Sequence, residues 1–238
     1  MMDSIIAALN KVELPSINTK SSTYHNSEGQ KVPRVTEILS TMIHSDALMY
    51  WANSLGFKGM KYKTALNNAA NIGTEAHNAI ESFLIDKLES LNNIPFLGFM
   101  MWYNIITQEK GIPIQVIYIE HSLSCQWFGG TLDGLLRIGS KIYLIDFKTS
   151  NHVTYKYFLQ LAAYRYMIRI LEGINIDGVI VLQLDKDEPG FNEYLLDFSN
   201  INHLEFINHC EITFLSLVCG FYNINKAEMM YKTIFAMR

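Results

Sequence analysis

The sequence predicts a mixed α/β core behind a helical N-terminal region. Three observations predict it. Apolar residues recur at helical spacing through most of 36–112. From residue 113 the pattern changes to runs rich in β-branched and aromatic residues. Those runs fall as three strands, a helix, two strands and a closing helix. A chain of 238 residues suits one such domain with extra helices, or at most two small ones.

The elements follow in order. Residues 16–34 are polar and hold the turn signal Asn26-Ser27-Glu28-Gly29, so 1–35 reads as an N-terminal arm or hairpin closed by Pro33. Thr36 is expected to cap a helix whose apolar stripe begins with Leu39 and Met42. Ala65, Ala69, Ile72, Ala76, Ile80, Phe83 and Leu84 predict a long helix over 62–90. Pro95 and Gly111-Ile112-Pro113 bracket another. Strands are expected over 114–120, 126–138 and 141–148, then a helix over 153–171. Strands over 178–184 and 191–197 come next, then a helix over 200–222 and a short tail. Three regions result: the arm 1–35, a helical region 36–112 and the core 113–238.

Hydrophobic residues make up 49% of the chain and charged residues 18%, which allows a sizeable core and argues against wholesale disorder. A net charge of −4 and a pI near 6.0 exclude a protein that coats nucleic acid indiscriminately. Any such contact must come from a local patch. Mild acidity also suits carboxylates gathered around a divalent cation. Cys125, Cys210 and Cys219 are odd in number and lack a pairing pattern. They read as reduced thiols in a cytoplasm-like compartment. Met1 to Leu14 resembles neither a secretory signal nor a transit peptide. No apolar stretch approaches the ~20 residues of a membrane span, so a soluble cytoplasmic protein is expected.

The chemistry concentrates in Gly129-Gly130-Thr131-Leu132-Asp133-Gly134 and Ile145-Asp146-Phe147-Lys148-Thr149. Between them lies Gly139-Ser140, a two-residue loop suited to a type II′ turn. That turn pairs Ile138 with Lys141. Counting back sets Asp133 opposite Asp146 and Thr131 opposite Lys148, on one face, with Cβ atoms about 4.5–5.5 Å apart. Like charges so placed destabilise a sheet, and Ile142, Leu144 and Ile145 predict partial desolvation around them. A bound Mg2+ or Mn2+ resolves the conflict, since hard oxygen ligands suit those ions. An isolated Asp-x-Lys is most often a solvated surface pair. The register, the adjoining glycines and the apolar flanks favour a site here.

This run resembles the nuclease motif of RecB-type exonucleases in the PD-(D/E)xK superfamily, and more narrowly the group of mitochondrial genome maintenance exonuclease and its phage relatives. Three further stretches resemble that group's motifs in order: Val32-Pro33-Arg34-Val35-Thr36, Gly73-Thr74-Glu75-Ala76-His77, and Gln160-Leu161-Ala162-Ala163-Tyr164. The resemblance covers 32–165. Arg34 departs from the small residue usual there. The resemblance implies a restriction-endonuclease-like core, with a mixed central sheet flanked by helices, and metal-dependent hydrolysis of DNA from single-stranded ends. It also implies a part in replication, repair or recombination, a protein partner in that process, and a host cytoplasm if the chain is phage-encoded. Some RecB-type nucleases hold an iron–sulfur cluster through four cysteines. Three cysteines predict none here.

The resemblance assigns roles residue by residue. Asp133, Asp146, the Phe147 carbonyl and His77 would hold metal, although a lone histidine on a helix is more often a packed or surface residue. Glu81, one turn beyond His77, would orient the imidazole. Lys148 would attend the attacking water and the phosphate. Gln160 and Tyr164 share a helix face with Lys156, and would hold the lysine, contact DNA phosphate or cap a sheet edge. Glu120, ending the first strand, is a metal-ligand candidate against the usual reading of a solvated strand end. Thr149, Ser150, Lys156, Lys61 and Lys63 are candidates for DNA contact. With Lys58, the last two equally fit a solvated face. Tyr50, Trp51, Trp102, Tyr103, Trp127 and Phe128 could stack on bases, but aromatics at such spacing are more often core.

Overall fold

The computed structural model describes residues 2–11, 23–44 and 46–236, without the side chains of 46–48. Helices α1 (Met2–Leu9), α2 (Val35–Met42), α3 (Asp46–Phe57), α4 (Tyr62–Asp86) and α5 (Ile94–Asn104) precede the sheet. Strands β1 (Ile114–Ser124), β2 (Gly129–Ile138) and β3 (Lys141–Lys148) lead to α6 (Tyr155–Met167), then β4 (Gly178–Leu184), β5 (Phe191–Asp197) and α7 (Ile201–Phe235). The sheet order is β1-β2-β3-β4-β5. Among the five described strands only the β3–β4 pair is parallel, with α6 as its crossover. This is an α/β fold with a mixed five-stranded sheet flanked by helices and a helical N-terminal region.

Period-two alternation sorts the sheet residues between two helical layers. Leu135, Leu144, Val179 and Val181 join the core beneath α6, α7, α1 and α2. Leu136, Ile145, Phe147, Ile180 and Leu182 face the other way, onto an aromatic cluster of α4 and α5 built from Phe83, Phe96, Phe99 and Trp102. Within the first layer, the buried Glu211 of α7 accepts from Arg165 (3.2 Å) and from Arg169 (2.5 Å). This fixes the helix that carries Gln160 and Tyr164.

The hairpin forms as its turn chemistry requires. Gly139 takes φ 61° and Ser140 does not go positive. The predicted register holds from Ile138↔Lys141 to Gly134↔Ile145. There the strands part. The next expected pairs, Asp133 with Asp146 and Thr131 with Lys148, do not form, because the Asp133 carboxylate itself accepts the Phe147 N–H at 2.8 Å.

Other boundaries differ for local reasons. Arg34, not Thr36, occupies the cap of α2: Glu37, in the first turn, reaches back to the Arg34 N–H. The arm begins as α1, and a short turn follows around Asn26, bridged by His25↔Lys31. Residues 12–22 of the expected arm lie outside the described residues. Helix α3 is not among the elements that the apolar spacing predicts. Helix α4 stops at Asp86, where Lys87 turns left-handed. The strand expected from 126 starts at Gly129, and β1 continues to Ser124. Helix α7 runs on to Phe235 in place of a tail, because Lys226, Ala227, Glu228 and Met229 are good helix formers with no Gly or Pro among them. It is long and apolar enough by composition to cross a membrane, contrary to the expectation of no such stretch. Its middle is core: Ile207, Phe214, Leu215 and Val218 are fully buried.

Candidate metal centre and its lysine

The parting of β2 and β3 creates the site, because side chains from both helical layers converge on the gap. From α4, His77 sets Nε2 3.0 Å from the Phe147 carbonyl oxygen and 3.7 Å from Asp133 Oδ2. Its Nδ1 lies 3.1 Å from Glu120 Oε1. His77, Glu120 and Asp133 together form a group able to hold a metal ion. The expected acceptor Glu81 is replaced by Glu120, which stands opposite Asp133 between the pairs Ile119↔Gly134 and His121↔Leu132. Glu120 adopts φ 44° within a strand, a conformation L side chains rarely take and one that recurs at functional sites.

From the other layer, α6 brings Gln160, whose amide donates to Asp146 Oδ1 at 3.0 Å. Lys148 donates to the same oxygen at 2.7 Å. The second Asp146 oxygen is buried and has no hydrogen-bond partner among the described residues. A carboxylate oxygen so placed costs free energy unless something positive meets it. It and the carbonyl of Phe147 are the hard donors a divalent cation takes.

The electrostatics agree. Burial pushes the Asp146 carboxyl well above the usual carboxylate range; Lys148 opposes this and Asp133 adds to it. Burial pulls the His77 imidazole down, but the hydrogen bond to Glu120 and the charge of Asp133 outweigh it and hold the group at about 9. Burial likewise pulls on Lys148, and Asp146 and Asp133 more than offset it, so the ammonium keeps its charge. Burial and the same two carboxylates raise the Tyr164 phenol well above its usual range. Acidic side chains therefore crowd a partly buried pocket, offset by the proton on His77 and the Lys148 ammonium.

Two glycines make room for this. A Cβ at Gly130 would lie 2.7 Å from the Tyr164 ring, and one at Gly129 would lie 2.6 Å from Tyr24. The Tyr24 hydroxyl bonds Thr131 at 2.7 Å. In the sequence the adjoining glycines favour a site, but nothing there names Tyr24. Tyr157 was also missed: its ring lies 5.3 Å from the Lys148 ammonium, and its hydroxyl donates to Ser150 Oγ at 3.0 Å.

The remaining candidates are dispersed. Thr149 and Ser150 follow the lysine directly and border a polar cavity. Lys156 donates to the Ile43 and His44 carbonyls at 3.0 and 3.2 Å, so its ammonium secures the end of α2. Lys61 and Lys63 are exposed at the outer end of α4, roughly 24 Å from His77 at 1.5 Å per residue. Trp102, Trp127 and Phe128 are core. Tyr50 is exposed, and Trp51 packs edge-on against Tyr62.

No family model and no curated protein matches the chain. Among solved structures it is similar to the crystal structure of SSO0001, at 12% identity and a TM-score of 0.38, over 91% of this chain and 87% of that one. It is also similar to LHK-Exo in complex with dAMP, at 13% identity and a TM-score of 0.37, over 84% of this chain and 94% of the other. Likenesses this distant leave the reading of the site to its own geometry.

Proposed function

We propose that the chain is a metal-dependent DNA exonuclease of the RecB type within the PD-(D/E)xK superfamily, acting on single-stranded ends. One observation carries the proposal. A group able to hold a cation adjoins a buried carboxylate, Asp146, whose one oxygen lacks a hydrogen-bond partner among the described residues while the other binds a lysine. His77, Asp133, Asp146 and the Phe147 carbonyl would hold Mg2+ or Mn2+. Glu120 would either join them or orient His77 through Nδ1. The ion would supply Lewis-acid stabilisation of phosphoryl oxygens and a polarised water.

The chain's own groups do the rest. Lys148 keeps its positive charge beside the carboxylates, where it can orient water and offset charge developing on phosphorus oxygens. Gln160 fixes the rotation of the Asp146 carboxylate. Tyr164 remains protonated and can donate to a phosphate oxygen. Thr149 and Ser150 extend the polar margin. DNA would approach along α3 and the outer half of α4, in the region 36–112, where Tyr50, Phe57 and Met60 are exposed near Lys61 and Lys63. Lys156 would act there by anchoring α2. The core 113–238 would carry the chemistry, and the arm 1–35 would brace it. The setting would be replication, repair or recombination in the cytoplasm, with a protein partner.

A time course on 5′- and 3′-labelled single- and double-stranded DNA with Mg2+, Mn2+ or EDTA tests the reading. Terminal nucleotides should be released only with metal, and Asp146→Asn should abolish release while circular dichroism shows a folded chain. Equal cleavage by that variant refutes the mechanism. Degradation of a covalently closed circle would make the chain an endonuclease on the same fold. Binding of DNA without cleavage under any metal would make it a silent DNA-binding or recombination module.

A further inference from the structure

A second polar feature adjoins the site beyond Thr149 and Ser150. Because β3 and β4 are parallel and β4 and β5 antiparallel, Lys148, Gln183 and Asn192 form one row across three strands. Asp146, Val181 and Tyr194 form the row beside it. Partners in register share a face. The side of the sheet that carries the acid and the lysine therefore continues to Asn192 and Tyr194, two strand spacings or roughly 10 Å away.

Over that continuation lies a cavity of about 360 Å³, within the roughly 300–1,000 Å³ of small-molecule sites. Gln183 sets its walls. Its amide nitrogen donates to the Ser150 carbonyl at 2.7 Å, and its amide oxygen accepts from Asn192 at 3.2 Å. Asp185 fixes the adjoining loop by accepting the N–H groups of Asp187 and Glu188 at 2.8 and 3.4 Å. Facing the cavity are the half-buried Thr149 hydroxyl and Lys186 ammonium and the exposed Asn151 and Asn192 amides. Tyr194 is 41% exposed and offers its ring.

The lining charges decide what fits. One ammonium, Lys186, stands against two carboxylates, Asp185 and Asp187. That balance disfavours a phosphate. It suits a neutral, flat, hydrogen-bonding ring that stacks on tyrosine and donates to carboxylate or amide oxygens. We infer that this cavity is a nucleobase subsite for the nucleotide next to the scissile phosphate, favouring bases with an exocyclic amino group, cytosine above thymine. The inference rests on the proposed nuclease reading and deepens it.

Its test has an arm that needs no catalysis. The Asp146→Asn protein is titrated with 2′-deoxycytidine and with thymidine, and binding is followed by saturation-transfer NMR. The cytosine nucleoside should bind about tenfold more tightly, and Tyr194→Ala should remove about tenfold of its affinity. Asp187→Asn, on an exposed loop, should erase the preference without removing stacking. In the active chain, kcat/KM on oligo-dC should exceed that on oligo-dT, and Tyr194→Ala should bring the ratio near one. Equal binding of the two nucleosides, or binding untouched by either substitution, overturns the subsite. Selective nucleoside binding by a chain that never cleaves DNA would sink the nuclease reading and leave the subsite standing.

Discussion

Helix α4 has two unlike halves. The inner half buries Ala76, Ala79, Ile80, Phe83 and Leu84, and Phe83 meets Phe96, Phe99 and Tyr103 edge-on at 5.1–6.0 Å. The outer half, from Lys61 to Asn71, is exposed apart from the half-buried Tyr62 and Ala65. Both are continuous helix, so propensity does not separate them; burial does. The half carrying His77 is clamped by aromatic packing, which sets the imidazole against Phe147 and Asp133 before any ligand arrives. The outer half has little tertiary packing to hold it, and its exposed lysines fit contact with a long anionic partner.

Stability breaks or keeps this contrast most directly. Phe83→Ala should cost about 3–5 kcal/mol, because it opens a cavity in a dense aromatic cluster. Leu66→Ala on the outer half should stay within about 0.5 kcal/mol. Urea unfolding of both variants measures the difference, and similar losses would mean the outer half is packed after all.

Function should divide the same way. Lys148→Ala should lower kcat by about 10²-fold or more, as removal of a charge-stabilising group does, with DNA affinity changed far less. If affinity fell in parallel with kcat, Lys148 would be a binding residue, and the inner end would lose its claim to the chemistry.

Metal binding at the inner end should release a proton. His77 is held at about 9, so at pH 7 it is protonated, with Nδ1–H facing Glu120 and Nε2–H facing the Phe147 carbonyl. A cation needs the neutral imidazole. Affinity should therefore rise with pH up to about 9 and level off above it. Calorimetry in two buffers of different ionisation heat, at pH 7, should report proton release, and His77→Gln should reduce it. Binding heats independent of the buffer would remove His77 from the ligand set.

The sequence disclosed whatever local chemistry dictates. Gly139-Ser140 named its own turn, and from that turn the pairing followed as far as Gly134↔Ile145. It could not disclose where the ladder would open, because that depends on Asp133 capturing the Phe147 N–H across the gap. The same limit applies to His77. Helical spacing points to Glu81, whereas the actual Nδ1 partner, Glu120, is 43 residues away and reaches it from a strand residue at positive φ. Lys156 looked like a free cation on a stripe with Gln160, but carbonyls at the end of α2, over a hundred residues earlier, use its ammonium. Register, caps and the lysine beside the acid are short-range statements. The gap, the strained glutamate and the tyrosines over the two glycines exist only once distant segments meet.

The smallest effect expected comes from the outer half and bears on whether it touches DNA at all. Lys61→Ala with Lys63→Ala removes two exposed charges roughly 24 Å along the helix from His77. If both lysines neutralise phosphates of a single strand, each contributes about 0.7 to the dependence of log K on log salt. The double variant should then flatten that slope by about 1.4 and weaken binding a few-fold, while kcat at saturating DNA stays near that of the parent. An unchanged slope would mean that these lysines are only solvated, and that the strand reaches the centre by another face. A fall in kcat at saturation would mean that the two halves of α4 are coupled, and that the packing of Phe83 does not insulate His77 from what happens at the helix tip.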